Sequence, residues 1–147
     1  MSVATMIETD RSIETRTATV WLDGEGIIRV IFHSEADEFR SDAEANIAAV
    51  REAGRGVPRS VAVDFRYVRS QEHDARRLYA GRGMAAIASA AAIVLGSPLA
   101  RMRANLYLSR IRAPVPTRLP GSTTEALAWL RNFLATGPAR TDPWSIL

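Results

Sequence analysis

The sequence has no cysteine and no lysine, and only two histidines, His33 and His73, among its 147 residues. Without thiols there can be no disulfide, no cysteine-based zinc site, no iron–sulfur cluster and no cysteine nucleophile, which fits a reducing cytoplasm. Two histidines also supply a His-built metal centre poorly. All 19 basic residues are arginine, a pattern we read as coding bias in a GC-rich genome, which also explains the alanine excess. Guanidinium titrates so high that a formal charge of only +3 still gives a sequence pI of 10.1, so that value says little about nucleic acid.

Long apolar runs are missing as well. The longest, residues 84–95, is interrupted by Ser89 and is far short of the roughly 20 residues that span a bilayer. Residues 1–16 lack a positive region followed by an apolar stretch, so no secretory leader is expected there. They are expected to form a mobile arm before a single domain over residues 17–136, with residues 137–147 as a tail ending in the apolar Trp144, Ile146 and Leu147. A chain of this length buries roughly 70% of its unfolded surface and needs no staple.

Charge is unevenly spread. Residues 1–74 carry nine arginines against 14 carboxylates, net −5, and residues 75–147 carry ten against two, net +8. The two halves therefore present electrostatically different surfaces.

Strand and helix patterns alternate along the chain. Ala18, Val20 and Leu22 at period two, a turn at Gly24–Gly26, and Ile28, Val30 and Phe32 predict a hairpin. Ser41 and Glu44 are spaced as a capping box before Ala43, Ile47 and Val50, and Gly54 and Gly56 stop that helix. Residues 60–68 are β-branched and aromatic and predict a central strand. A helix follows Ser70 as its N-cap and runs towards Ile87, weakened by Gly81 and Gly83. Residues 90–96 predict a buried strand, Ser97-Pro98 an N-cap with proline at the first helical position, Thr117–Leu119 an edge strand, and Ser122 with Glu125 a second capping box. The fold class is α/β, a mixed sheet of about five strands with four helices in the order ββαβαβαβα.

Four ordered signatures carry a family resemblance. They are Asp64-Phe65-Arg66-Tyr67-Val68-Arg69-Ser70, Gly96-Ser97-Pro98-Leu99-Ala100-Arg101, Pro114-Val115-Pro116-Thr117-Arg118 and Ala126-Leu127-Ala128-Trp129-Leu130. Over about residues 17–135 the chain resembles the STAS domain, and within it the SpoIIAA-like bacterial branch, also labelled STAS/SEC14-type. The resemblance implies a regulatory binding module. Regulatory STAS domains keep a phosphoacceptor serine at the start of the helix after the central strand; laid ungapped from Asp64, that position is Asp74 here, so a kinase-gated switch is not implied.

The ligand or partner candidates are Asp64, Arg66, Arg69, Ser70, His73, Asp74, Ser97 and Arg101, which cluster at predicted carboxyl ends of strands or at helix starts, where open α/β sheets bind ligands. Ser70, His73 and Asp74 can be written as a nucleophile, base and orienter, but adjacent helical residues diverge by about 100° and make a poor orienting pair. No catalytic residue, metal or cofactor is expected. The expected role is non-enzymatic, with a protein partner. The alternative is a small anionic ligand held at the helix starts after Ser70 and Ser97 by Arg66, Arg69 and Arg101. Leu106, Tyr107, Leu108 and Ile111, with Trp129 and Trp144, suggest a homodimer. Arginines 101, 103, 110 and 112 lack interleaved aromatics apart from Tyr107, a weak nucleic-acid signal.

Overall fold

A computed structural model describes residues 11–134. Alternating apolar residues build the antiparallel pair β2 (Ala18–Leu22) and β3 (Ile28–Phe32), in which Val20 faces Val30. A short β1 (Ile13–Glu14) pairs with β2 at the edge. Residues 11–16 are thus structural, contrary to the expected mobile arm, because Ile13 packs on the core and Arg16 is tied to α1. Residues 1–10 and the tail from 137 lie outside the described residues.

β5 (Arg59–Asp64), β7 (Ala88–Val94) and β8 (Thr117–Arg118) continue the sheet in parallel with β3, giving the order β1-β2-β3-β5-β7-β8. Two further short strands, β4 (Asp37–Glu38) and β6 (Ser70–Gln71), pair with each other beyond the carboxyl ends of β3 and β5. The four helices are α1 (Arg40–Ala53), α2 (His73–Tyr79), α3 (Pro98–Arg110) and α4 (Thr123–Leu134).

Side-chain alternation along β5 splits the core. Val61 joins Val20, Val30, Phe32 and Val50 under α1, while Ala62 joins Ala90, Ala92, Ala126 and Leu130 under α4. Phe32 and Phe65 meet edge to face, with centroids 4.9 Å apart.

Three helix starts differ in detail from expectation. α1 begins at Arg40, one residue before Ser41, and the carboxylate of Asp42, not Glu44, accepts from the Phe39 N–H at 2.9 Å. α2 has Glu72 as its N-cap, so Ser70 does not cap it, and it ends at Tyr79; Ala80-Gly81 interrupts it before a 3₁₀ turn at Arg82–Ala86. At α4, Ser122 Oγ accepts from the Glu125 N–H at 3.2 Å, whereas Glu125 reaches back to Gly121 rather than to Ser122.

Candidate functional site

β5 and β7 end level with each other, Asp64 opposite Val94, so the loops that follow share one end of the sheet. There the Asp64 carboxylate receives Arg66 through Nε at 2.9 Å and a second nitrogen at 2.8 Å, a two-pronged pair, and also accepts from the Arg66 N–H at 3.1 Å. The Arg66 hydrogen bonds hold the Asp64 carboxyl below its usual range, against partial burial. The Arg66 carbonyl lies against Gly96, where an added Cβ would sit 2.5 Å from its oxygen, so only glycine lets the two loops approach this closely. Next in the chain, Ser97 Oγ accepts from the Ala100 N–H at 3.1 Å and caps α3, with Pro98 at the first helical position. Arg101, in the first turn of α3, comes to the same end and lies beside Gly121.

Arg69 and Ser70 belong to a second cluster. The Asp37 carboxylate takes both Arg69 and the Ser70 hydroxyl, at 2.6 Å for the latter, and these bonds push its carboxyl well below the usual range. Arg16 completes the corner by pairing with Asp42 and donating to the Asp37 carbonyl at 2.6 Å. His73 and Asp74 open α2, and among the described residues no hydrogen bond joins His73 to Ser70. Asp74 shares a shallow hollow of about 250 Å³ with Arg40, Arg77 and Leu78. The eight residues singled out in the sequence are thus divided among three places: Asp64–Arg66 with Ser97 and Arg101 at the sheet end, Arg69–Ser70 on Asp37, and His73–Asp74 on α2.

Between the short strands and the core lies a polar network that sequence reasoning missed. Glu38 is 1% exposed, accepting from Gln71 at 2.7 Å, from Asn46 at 3.0 Å and from the Tyr79 hydroxyl. Asn46 also donates to Thr17 at 3.0 Å and accepts from Thr15 at 2.6 Å. Burial raises the Glu38 carboxyl, and burial beside that carboxyl raises the Tyr79 hydroxyl. The partners are drawn from four separated segments, and no local spacing announces them. Among the described residues no group of three or more histidines and carboxylates could hold a metal.

Of the four α-helices, α3 is the least covered. None of its 13 residues is buried, and Leu99, Met102 and Leu106 are 51%, 55% and 54% exposed. Pro98, Arg101, Met102, Asn105, Leu106 and Ser109 line a shallow, open face along it. Tyr107, Leu108 and Ile111 are half-buried instead, with Arg76 of α2 over the Tyr107 ring at 6.0 Å. Trp129 is occupied too, stacked edge to face on Phe133 and covered by Arg118. Trp144 lies outside the described residues.

A family model described as a domain of unknown function, DUF7793, matches residues 20–134. The chain belongs to that family. Among solved structures it is similar to a protein of the DUF3478 family from Shewanella loihica PV-4, described as uncharacterised and as having a SpoIIAA-like fold. That likeness has a TM-score of 0.54 at 13% identity and covers 81% of this chain and 90% of the other. The fold is therefore SpoIIAA-like α/β. No curated protein matches the chain. Among the described residues no helix is long and apolar enough to cross a membrane.

Proposed function

We propose that this chain is a STAS-like, non-enzymatic binding module that recognises another protein through α3, in a regulatory role and without a phosphoacceptor serine. The observation that carries this reading is the helix itself: it buries no residue, yet sets Leu99, Met102 and Leu106 on one exposed side. Apolar side chains gathered in this way mark an interaction surface more often than scattered ones do. The small-anion reading draws less support, because Arg66 and Arg69 already have carboxylate partners in Asp64 and Asp37. No reaction is proposed.

Photocrosslinking tests the reading. A photoreactive residue in place of Met102, in the full chain produced in its native cells, is expected to give discrete adducts with a second protein, lost when Leu106→Glu is added. Adducts formed from Glu52, on the exposed end of α1, but not from Met102 would sink the proposal.

A further inference from the structure

Residues 75–124 hold eight arginines and no carboxylate. Arg76 and Arg77 lie on α2, Arg82 on the following turn, Arg101, Arg103 and Arg110 on α3 and Arg112 just after it. None of these seven forms an ion pair among the described residues, whereas Arg16, Arg66, Arg69 and Arg131 each have a carboxylate. Of these, Arg101, Arg103 and Arg110 stand on the helix that also carries the exposed apolar stripe, and Arg76 reaches it over the Tyr107 ring.

Helix geometry arranges the two features. At 3.6 residues per turn, Leu99, Met102, Arg103, Leu106 and Arg110 fall within about 100° of one another. Leu99, Met102 and Leu106 step by three and then four positions, the spacing that forms ridges able to interlock with a second helix. Arg103 and Arg110 border the stripe on one side, and Asn105 and Ser109 border it on the other.

We infer, building on the protein-binding reading above, that α3 takes an acidic amphipathic helix of a partner protein. Its apolar residues cover Leu99, Met102 and Leu106, and its carboxylates meet Arg103 and Arg110. A second copy of this chain is a poorer occupant, since pairing two such helices brings their arginines together. A bilayer is poorer as well, because binding there scales with inserted apolar area, and three half-exposed side chains bordered by Asn105 and Ser109 supply little. For a nucleic acid, the apolar stripe sits where phosphate contacts would be wanted.

The test uses the full chain and two short fluorescein-labelled helical peptides, identical in their leucine stripe, one flanked by glutamates and the other by lysines. Fluorescence anisotropy is expected to show binding of the glutamate peptide alone. Leu106→Glu should weaken it at least about tenfold while leaving the far-UV spectrum and melting temperature intact, since the side chain is largely in solvent. The double variant Arg103→Glu/Arg110→Glu should lose the glutamate peptide and gain the lysine one. Equal binding of both peptides, no binding of either, or indifference to Leu106→Glu overturns the inference. So does sedimentation with phosphatidylglycerol vesicles that Leu106→Glu abolishes, or a dimer by light scattering that the same variant dissociates. If Met102 crosslinks to a partner segment rich in lysine and arginine, the acidic-helix inference fails while the protein-binding reading stands.

Discussion

The hydroxyl of Tyr79, in the last turn of α2, donates to Oε2 of Glu38 on β4, a carboxyl that is almost wholly buried and forms no ion pair among the described residues. Its other donors, Asn46 and Gln71, are also neutral. A buried charge held only by neutral dipoles remains costly, and Asp42 nearby adds a like charge. The network nevertheless ties α1, α2, β4 and β6 into one corner.

Because burial raises the folded pKa of Glu38, its contribution to stability is fully present below the range of an unfolded carboxyl and is lost as pH rises through the folded value. Glu38→Gln keeps an acceptor for Tyr79 and Asn46, and the Gln71 amide can turn to accept from the new one. Urea unfolding from about pH 5 to about pH 8 should therefore show the variant gaining stability relative to wild type as pH rises. Parallel curves would show that Glu38 is not the group responsible.

Two serines that look alike in the sequence should behave differently. Ser97 caps α3, so Ser97→Ala is expected to cost about 1 kcal/mol and to fray the helix that carries the apolar stripe. Ser70 caps nothing and gives a single exposed bond to Asp37, so Ser70→Ala is expected to cost well under about 1 kcal/mol. Denaturant midpoints compare the pair. Intact mass of protein from its native cells should also show no phosphate on Ser70, whose oxygen already faces a carboxylate.

What was legible in the sequence follows from range. The β2–β3 hairpin and the Ser97-Pro98 start of α3 rest on signals a few residues apart and stand where those signals put them. β5 and β7 exist as expected but with shifted bounds: β5 stops at Asp64 instead of Val68, because Arg66 turns back onto the Asp64 carboxylate, and β7 runs over Ala88–Val94. The β4–β6 pair joins residues 33 positions apart through two residues of each strand, too few for any alternation to show. Ser70 does not cap α2 for the same reason: its hydroxyl is claimed by Asp37 and its backbone by β4, long-range partners that override local capping preference. Glu38 reads as a solvated acid until Asn46, Gln71 and Tyr79 are seen to converge on it.

Gly96→Ala tests the junction between the loops after β5 and β7. The new methyl would press on the backbone oxygen of Arg66, which cannot swing aside as a side-chain tip would. Overpacking of this kind is expected to cost about 1–3 kcal/mol, read as a lower unfolding midpoint. An unchanged midpoint would mean that the two loops part without penalty and that the sheet end is looser than its geometry implies.

Asp64→Asn separates a structural from a binding role for the pair at that end. The Arg66 bonds lower the folded pKa of Asp64, so its contribution is present above the unfolded carboxyl range and disappears as pH falls through the folded value. Arg66 is partly in solvent, which limits the pair to about 1 kcal/mol. The variant should therefore be less stable than wild type by about that amount near neutral pH, and the gap should close in acid. Peptide binding at α3 should be unaffected, because the Asp64–Arg66 pair lies outside the exposed stripe of that helix. A loss of peptide binding at unchanged stability would instead make Asp64 and Arg66 part of the recognition surface.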